Sequence, residues 1–178
     1  FLSKRVILFK INDIEINLGE IETMTDTTIN EEDTISIKTE KSSKLVLESL
    51  EIAIQKSTEL IENCDNIATN IRINQKQGSE YYIQFFVETI NELNNILQHS
   101  LEILAIDIQN ISVEKQEFPE IIEGLNDILK EMFSAQQNED KVLIADLIEY
   151  EVPEKIKNLQ DVFKQIKTQG EKNLQNIN

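Results

Sequence analysis

The spacing of hydrophobic residues changes abruptly at Ser42, and this change constrains the fold more than any other feature of the chain. Before Ser42, apolar residues alternate with polar ones, a period of two that is typical of β-strands. After it, apolar residues recur every three or four positions, which is typical of amphipathic helices. The sequence therefore predicts an α+β protein, with a small β-subdomain over residues 1–40 and a helical bundle over residues 41–178.

An antiparallel β-hairpin is predicted over residues 5–18. A two-residue turn at Asn12-Asp13 places each apolar residue of the first strand opposite an apolar residue of the second. The expected pairs are Ile11 with Ile14, Phe9 with Ile16, and Ile7 with Leu18. A third strand is predicted over residues 34–39, whereas residues 19–33 are compatible with a short helix or with a mobile loop. Because an isolated hairpin is marginally stable, its apolar face is expected to rest on the helices.

Four long helices are predicted to follow, with connections so short that consecutive helices must be antiparallel neighbours. Their apolar faces are wide enough to meet two neighbouring helices each. Pro119 suits the first turn of the third helix, and Pro153 is predicted to kink or divide the last one. The expected architecture is an up-down-up-down bundle whose helices cover residues 42–73, 79–112, 118–135 and 140–166.

The charge of the chain excludes several classes of partner. Acidic residues outnumber basic ones 33 to 17, for a formal net charge of −16. Such a surface repels nucleic acid and anionic membranes, so neither is expected as a partner. No apolar run approaches the length of a membrane span, and no segment resembles a targeting signal. We therefore expect a cytoplasmic protein, and its abundant Ile and Asn are typical of an AT-rich bacterial genome.

The single cysteine and the single histidine exclude most sites that need such residues. Cys64 alone cannot form an intrachain disulfide, and together with His99 it cannot supply the ligands of a zinc or di-iron site. We expect no metal and no cofactor. Cys64 lies in the apolar stripe of the first helix and is predicted to be buried, whereas His99 is predicted to be partly exposed.

A candidate partner-binding site lies near the beginning of the last helix. Asp146, Glu149 and Tyr150 follow i, i+3, i+4 spacing and so share one helical face, with Glu151 and Pro153 directly after them. This face is interpreted as a recognition patch for a basic or hydrogen-bonding partner. Two alternatives remain open: a solvated acidic face without a partner, and acid/base catalysis by Asp146 and Glu149.

Gly124 is a second candidate because glycine in the middle of a helix costs about 1 kcal/mol relative to alanine. Its presence there predicts that another helix or another chain approaches closely at this position.

Three short motifs resemble those of small helical proteins of unknown function from low-GC bacteria. They are the segment IADLIEYEVPEKI over residues 144–156, the hairpin INDIEI over residues 11–16, and the helical segment EGL over residues 123–125 in the middle of the chain. Asp13 stands where those proteins have glycine. The resemblance implies the architecture described above and no particular activity. It also implies that Asp146, Tyr150, Glu151 and Pro153 act as a group.

These patterns favour a non-enzymatic adaptor or chaperone-like protein. Its expected partner is a protein that presents a basic or amphipathic helix. The alternative is a self-associating structural protein that forms a homodimer through its helix faces. An enzyme that depends on carboxylates is the third class, and it would need a pocket around Asp146 or Glu149.

Overall fold

A computed structural model describes residues 4–12, 14–16, 30, 32–73 and 78–175 of the chain. The chain divides into two compact units, Phe1–Leu45 and Val46–Asn178. The first contains an antiparallel sheet and the second a helical bundle, so the predicted α+β class is confirmed. The predictions for Asp13, for the Ile7–Leu18 pair and for most of residues 19–33 lie outside the described residues.

The sheet of the first unit has three strands in the order β2-β1-β3. These strands are β1 (Lys4–Ile11), β2 (Ile14–Ile16) and β3 (Ile35–Lys41). Both neighbours of β1 are antiparallel to it, and the predicted pairs Ile11–Ile14 and Phe9–Ile16 are confirmed. Asn12 has a φ of 51°, the left-handed conformation that a two-residue hairpin turn requires at its first position.

Asn12 also ties the hairpin turn to the segment that leads into β3. Its backbone N–H donates to the carbonyl of Thr34 at 2.9 Å, and its side-chain oxygen accepts the Thr34 N–H at 2.9 Å. Its amide group donates to Oδ1 of Asp33 at 2.6 Å. This hydrogen bond, together with one from the Asn30 backbone, lowers the pKa of Asp33. Asn12 therefore adopts the turn conformation and also hydrogen-bonds the turn to residues 33 and 34.

The second unit is a four-helix bundle whose last member is interrupted. Its helices are α1 (Ser42–Ile73), α2 (Gly78–Leu104), α3 (Phe118–Gln137), α4 (Lys141–Asp146) and α5 (Val152–Gln175). A π-helical turn over Leu147–Glu151 joins α4 to α5, so that the two form one interrupted fourth helix. Of the described residues, no helix is both long and apolar enough to cross a bilayer.

Three side chains of α1 and α2 are hydrogen-bonded within their own helix, namely Ser57, Cys64 and His99, whereas the buried hydroxyl of Ser43 has no partner among the described residues. Ser57, fully buried in the apolar stripe of α1, donates to the Ala53 carbonyl at 2.8 Å. Cys64 is also fully buried, as predicted, and burial raises the pKa of its thiol to about 11. His99 is exposed on α2. These three hydrogen-bonded residues need no partner from outside the chain.

Helix α2 is shorter than the sequence predicts, because it ends at Leu104 rather than at residue 112. Ala105 adopts a left-handed conformation with a φ of 49°. Its N–H bonds to the Glu102 carbonyl, and the N–H of Ile106 bonds to the Leu101 carbonyl. This is a Schellman motif, which usually has glycine where this chain has Ala105. The usual stop signal was therefore missing from the sequence.

The segment between α2 and α3 contains a small hairpin that the sequence analysis missed. A 3₁₀ turn over Ile108–Asn110 precedes strands β4 (Ser112–Val113) and β5 (Gln116–Glu117). The turn residues Glu114 and Lys115 both have positive φ, 50° and 75°. Asn-Gly is the common sequence at such a turn, and Glu-Lys gives no such signal.

Candidate functional site

The structure brings Asp146 and Glu149 together and places Arg72, from the last turn of α1, against both. Nη2 of Arg72 donates to Oδ1 of Asp146 at 2.6 Å, and its Nη1 donates to Oε2 of Glu149. The face predicted to bind a basic partner thus already binds a basic residue of the same chain. Arg72 is one of two arginines in the sequence, and its planar guanidinium can bond two carboxylates at once.

The pKa values of this cluster follow from its hydrogen bonds. The pKa of Glu149 is lowered, first by the hydrogen bond from the Tyr150 hydroxyl and then by Arg72. The same bond to Glu149 raises the pKa of Tyr150, and the two carboxylates raise that of Arg72. Glu149 therefore stays ionised at neutral pH, which does not suit a general acid.

The backbone beneath the cluster is a widened helical turn. The N–H of Val152 donates to the Leu147 carbonyl, five residues back rather than four. Pro153 follows in the first turn of α5 and has no N–H to donate. The predicted interruption near Pro153 is confirmed, and its form is a π-helical turn. The sequence did carry a signal for this turn, because four apolar residues follow one another at intervals of four with no interval of three: Ile144, Ile148, Val152 and Ile156.

The remaining predicted site residues differ in their surroundings. Tyr150 is 70% exposed, Glu151 is exposed and Pro153 is half-buried. Gly124 lies apart on α3, next to Lys155 of α5. A Cβ at Gly124 would lie 3.7 Å from the Lys155 side chain, an ordinary contact distance. The expectation of a close helix approach at Gly124 is therefore wrong within this chain.

Gly170 is the glycine at which helices do approach closely. It is buried on α5, and a Cβ there would lie 2.7 Å from Cδ1 of Leu104 and 3.3 Å from Cδ2 of Leu47. The predicted last helix ends at Ile166, so the sequence did not place Gly170 in the core. The sequence signal for a buried Gly170 was its position four residues after Ile166, which continues the spacing of the apolar face of α5.

An apolar groove opens between α2 and α3, and Ile144 of α4 lines one end of it. We call it the α2–α3 groove; its volume is about 250 Å³. Phe133 is 61% exposed, and Val87 across the groove is 41% exposed. The lining residues are Ile83, Val87, Ile90, Asn91, Leu129, Met132, Phe133, Gln136 and Ile144. Periodicity indicates which residues of each helix face inward, but it does not show how far apart two helices stand.

A family model described as a domain of unknown function, DUF8042, matches residues 48–162. The chain belongs to this family. No curated protein and no solved structure is significantly similar to it. The DUF8042 match contains the Arg72 cluster and every residue that lines the α2–α3 groove, and it excludes the three-stranded sheet. The candidate sites therefore belong to the family domain.

The two helices beside the groove are strongly acidic. Within the DUF8042 region, α2 carries four glutamates and no lysine or arginine. Helix α3 carries four acidic residues and one lysine, Lys130, whose Nζ donates to Oδ1 of Asp127 at 2.8 Å. The two helices that border the groove thus carry eight carboxylates; two of them are paired, Glu92 with Lys56 of α1 and Asp127 with Lys130.

A larger cavity of about 690 Å³ continues the groove past Ile83, at the end of the bundle. Ile83, Gln136 and Ile144 line both cavities. Carboxylates of Glu80, Glu139 and Asp140 line this end. These three carboxylates are not placed to hold a metal ion together, and no other group of His, Cys, Asp or Glu in the described part of the chain is.

Proposed function

We propose that this protein binds a basic amphipathic helix of a partner protein in the α2–α3 groove. The observation that carries the proposal is the pair of exposed apolar side chains, Val87 and Phe133, on opposite sides of an apolar groove. Exposed apolar surface rimmed by polar residues is typical of an interaction site. Adaptors and chaperones both use such grooves to hold a partner segment.

The length of the groove fits a short helix. From Ile83 to Asn91, α2 rises roughly 12 Å at 1.5 Å per residue. Two successive helical turns span about 11 Å, so a bound helix could place apolar side chains at positions i, i+4 and i+7 along the groove. The volume of about 250 Å³ is small for a drug-sized ligand and suits a few inserted side chains.

Charge favours a basic partner over a second copy of this chain. The acidic residues of α2 and α3 would attract Lys and Arg on the solvent side of a bound helix. Two copies that met through the groove would bring acidic helices of the same charge together, and like charges oppose such contact. Lys130, the single basic residue of these helices, is already paired with Asp127.

The Arg72 cluster is assigned a structural role in this proposal. Its two carboxylates are held by Arg72, so they are less available to a basic partner than the carboxylates beside the groove. No acid/base step is proposed for Asp146 or Glu149.

The proposal is tested with two fluorescein-labelled model peptides, each an amphipathic helix of 16 residues. They share leucines at the spacing given above and carry either lysine or glutamate elsewhere. We expect the lysine peptide to bind, as measured by fluorescence anisotropy, and the glutamate peptide not to bind. Raising the salt concentration should weaken binding, because the attraction is between exposed charges.

Two matched variants locate the site. Phe133→Ser removes an exposed apolar side chain at the groove, and Ile52→Ser removes one from α1 that is 52% exposed and does not line the groove. Phe133→Ser should weaken the lysine peptide about tenfold, the typical loss for a central apolar contact. Ile52→Ser should leave its affinity unchanged. Equal losses in both variants, or equal binding of both peptides, would overturn the proposal.

A further inference from the structure

The end of the α2–α3 groove past Ile83 is charged whereas the lining of the groove itself is not, and this difference gives a bound helix a direction. At the end past Ile83, the cavity wall contains the exposed carboxylates of Glu80, Glu139 and Asp140. Along the groove itself, the polar lining residues are the uncharged amides Asn91 and Gln136. A helix lying in the groove therefore has carboxylates at one of its ends.

We infer that the partner helix binds with its N-terminal turn, carrying lysine or arginine, at the Glu80–Glu139 end. This inference rests on the proposed function and adds the orientation and the charge pattern of the partner. The N-terminus of a helix carries a partial positive charge from its free N–H groups, so it is favoured next to carboxylates. A C-terminus in the same place would bring its partial negative charge against them.

The dipoles of the groove helices do not decide the direction. Helix α2 begins and α3 ends at this end of the bundle, so their end charges have opposite signs and largely cancel. Two cations also line the cavity: Arg72, whose guanidinium is engaged by Asp146 and Glu149, and Lys141. The three carboxylates of this end therefore outnumber its cations. Asp140 accepts the Leu143 N–H at 3.0 Å as the N-cap of α4, which holds its carboxylate at the cavity wall.

The distance from Glu80 to the groove determines where the basic residues lie along the partner helix. Glu80 lies three residues before Ile83, slightly less than one helical turn or roughly 5 Å along α2. A lysine or arginine about one turn before the first apolar anchor of the partner would therefore reach this carboxylate. The inferred partner pattern is one or two basic residues followed by apolar residues at i, i+4 and i+7.

The test uses two 16-residue peptides of identical composition, acetylated and amidated so that no terminal charge remains. Both have leucines at the same spacing; one has its lysines in the first turn and the other in the last turn. The first should bind about tenfold more tightly, equivalent to about 1.4 kcal/mol. Free helices prefer lysine in the last turn, so the intrinsic helicity of the peptides cannot produce this result.

The double variant Glu80→Gln, Glu139→Gln should remove the preference and leave the second peptide's affinity unchanged. The double variant Glu102→Gln, Glu123→Gln is the matched control: it makes the same change of charge on exposed residues that line neither cavity. It should weaken both peptides equally, if at all, and so keep the preference between them. Equal binding of the two peptides to the unmodified protein would overturn the inferred direction while leaving the proposed function intact. Failure of both peptides to bind would overturn the proposed function itself.

Discussion

Two seams of the bundle are held together in different ways. Between α1 and α5, the Gln160 amide donates to the Ile54 carbonyl at 3.1 Å and to Thr58 Oγ1 at 2.6 Å. An ion pair between Lys167 and Glu51 lies further along the same seam, which we call the α1–α5 seam. Between α2 and α3, by contrast, no hydrogen bond or ion pair joins the described residues of one helix to those of the other.

This difference suggests which helices are fixed and which surface is available. A polar cross-link requires both helices to keep one spacing and one rotation, since hydrogen bonds weaken steeply when their geometry changes. An apolar contact has no such requirement and can be exchanged for contact with another apolar surface. The α1–α5 seam thus fixes the spacing of its two helices, and under the proposed function a partner would enter the α2–α3 groove without breaking a hydrogen bond between α2 and α3.

The largest expected difference in the free energy of unfolding is between truncating a phenylalanine of the core and truncating one at the α2–α3 groove. Phe163 of α5 is fully buried, so Phe163→Ala should lower the free energy of unfolding by about 3–5 kcal/mol. Phe133→Ala at the groove should change it by less than about 1 kcal/mol, because that side chain is mostly exposed. Urea denaturation followed by circular dichroism measures both. Similar losses would mean that the groove is part of the packed core.

A smaller difference is expected between two glycines. Gly170→Val should destabilise the protein by about 1–3 kcal/mol, because its Cβ would meet Leu104 and Leu47 inside the bundle. Gly124→Val should stay within about 0.5 kcal/mol of the unmodified protein, since its neighbour is the flexible Lys155 side chain. The same denaturation experiment compares them. A stable Gly170→Val variant would show that the helices at that position can separate.

Ala105→Gly should stabilise the protein by about 0.5–1 kcal/mol, because glycine adopts a left-handed conformation without the steric cost that alanine has. Glu102→Gly, in the right-handed last turn of α2, is the control and should cost about 1 kcal/mol. Thermal unfolding of the two variants should therefore shift in opposite directions. Shifts in the same direction would contradict the assigned end of α2.

The smallest effect is expected for Arg72→Gln, because the ion pairs it removes are partly exposed. The lowered pKa of Glu149 means that its charge stabilises the fold above the ordinary pKa of a glutamate, about 4.3. That contribution is lost as the pH falls below this value. The variant's lower melting temperature at pH 7 should thus converge with that of the unmodified protein in acid. Lys130→Gln, which removes a fully exposed pair, should show little difference at either pH.

Much of the fold could be predicted because hydrophobic spacing reports which face of each element is buried. The change of period at Ser42 separated sheet from helix, and the alternation around Asn12 gave the correct strand register. The predictions failed at two places in the backbone, a helix end and a hairpin turn, where unusual residues adopt a left-handed conformation. Ala105 ends a helix and Glu114-Lys115 makes a hairpin turn, and none of these is the glycine or asparagine that normally signals such a conformation.

The candidate site was predictable only in part. Helical spacing correctly placed Asp146 and Glu149 side by side, but it could not show that Arg72, more than seventy residues earlier, would reach both of them. The α2–α3 groove depends on the separation of two helices. Separation is decided by packing across the whole bundle, which the pattern of a single helix does not contain.

The π-helical turn over Leu147–Glu151 has a consequence for how chain length varies within the family. Such a turn is equivalent to one residue inserted into an ordinary helix, which rotates everything before it by about 100°. Relatives that lack the extra residue should show a single-residue gap within positions 147–151. In them Ile144 would turn away from the α2–α3 groove unless a compensating change shifted α4. A gap at this point in the sequence would therefore identify relatives whose groove is differently shaped.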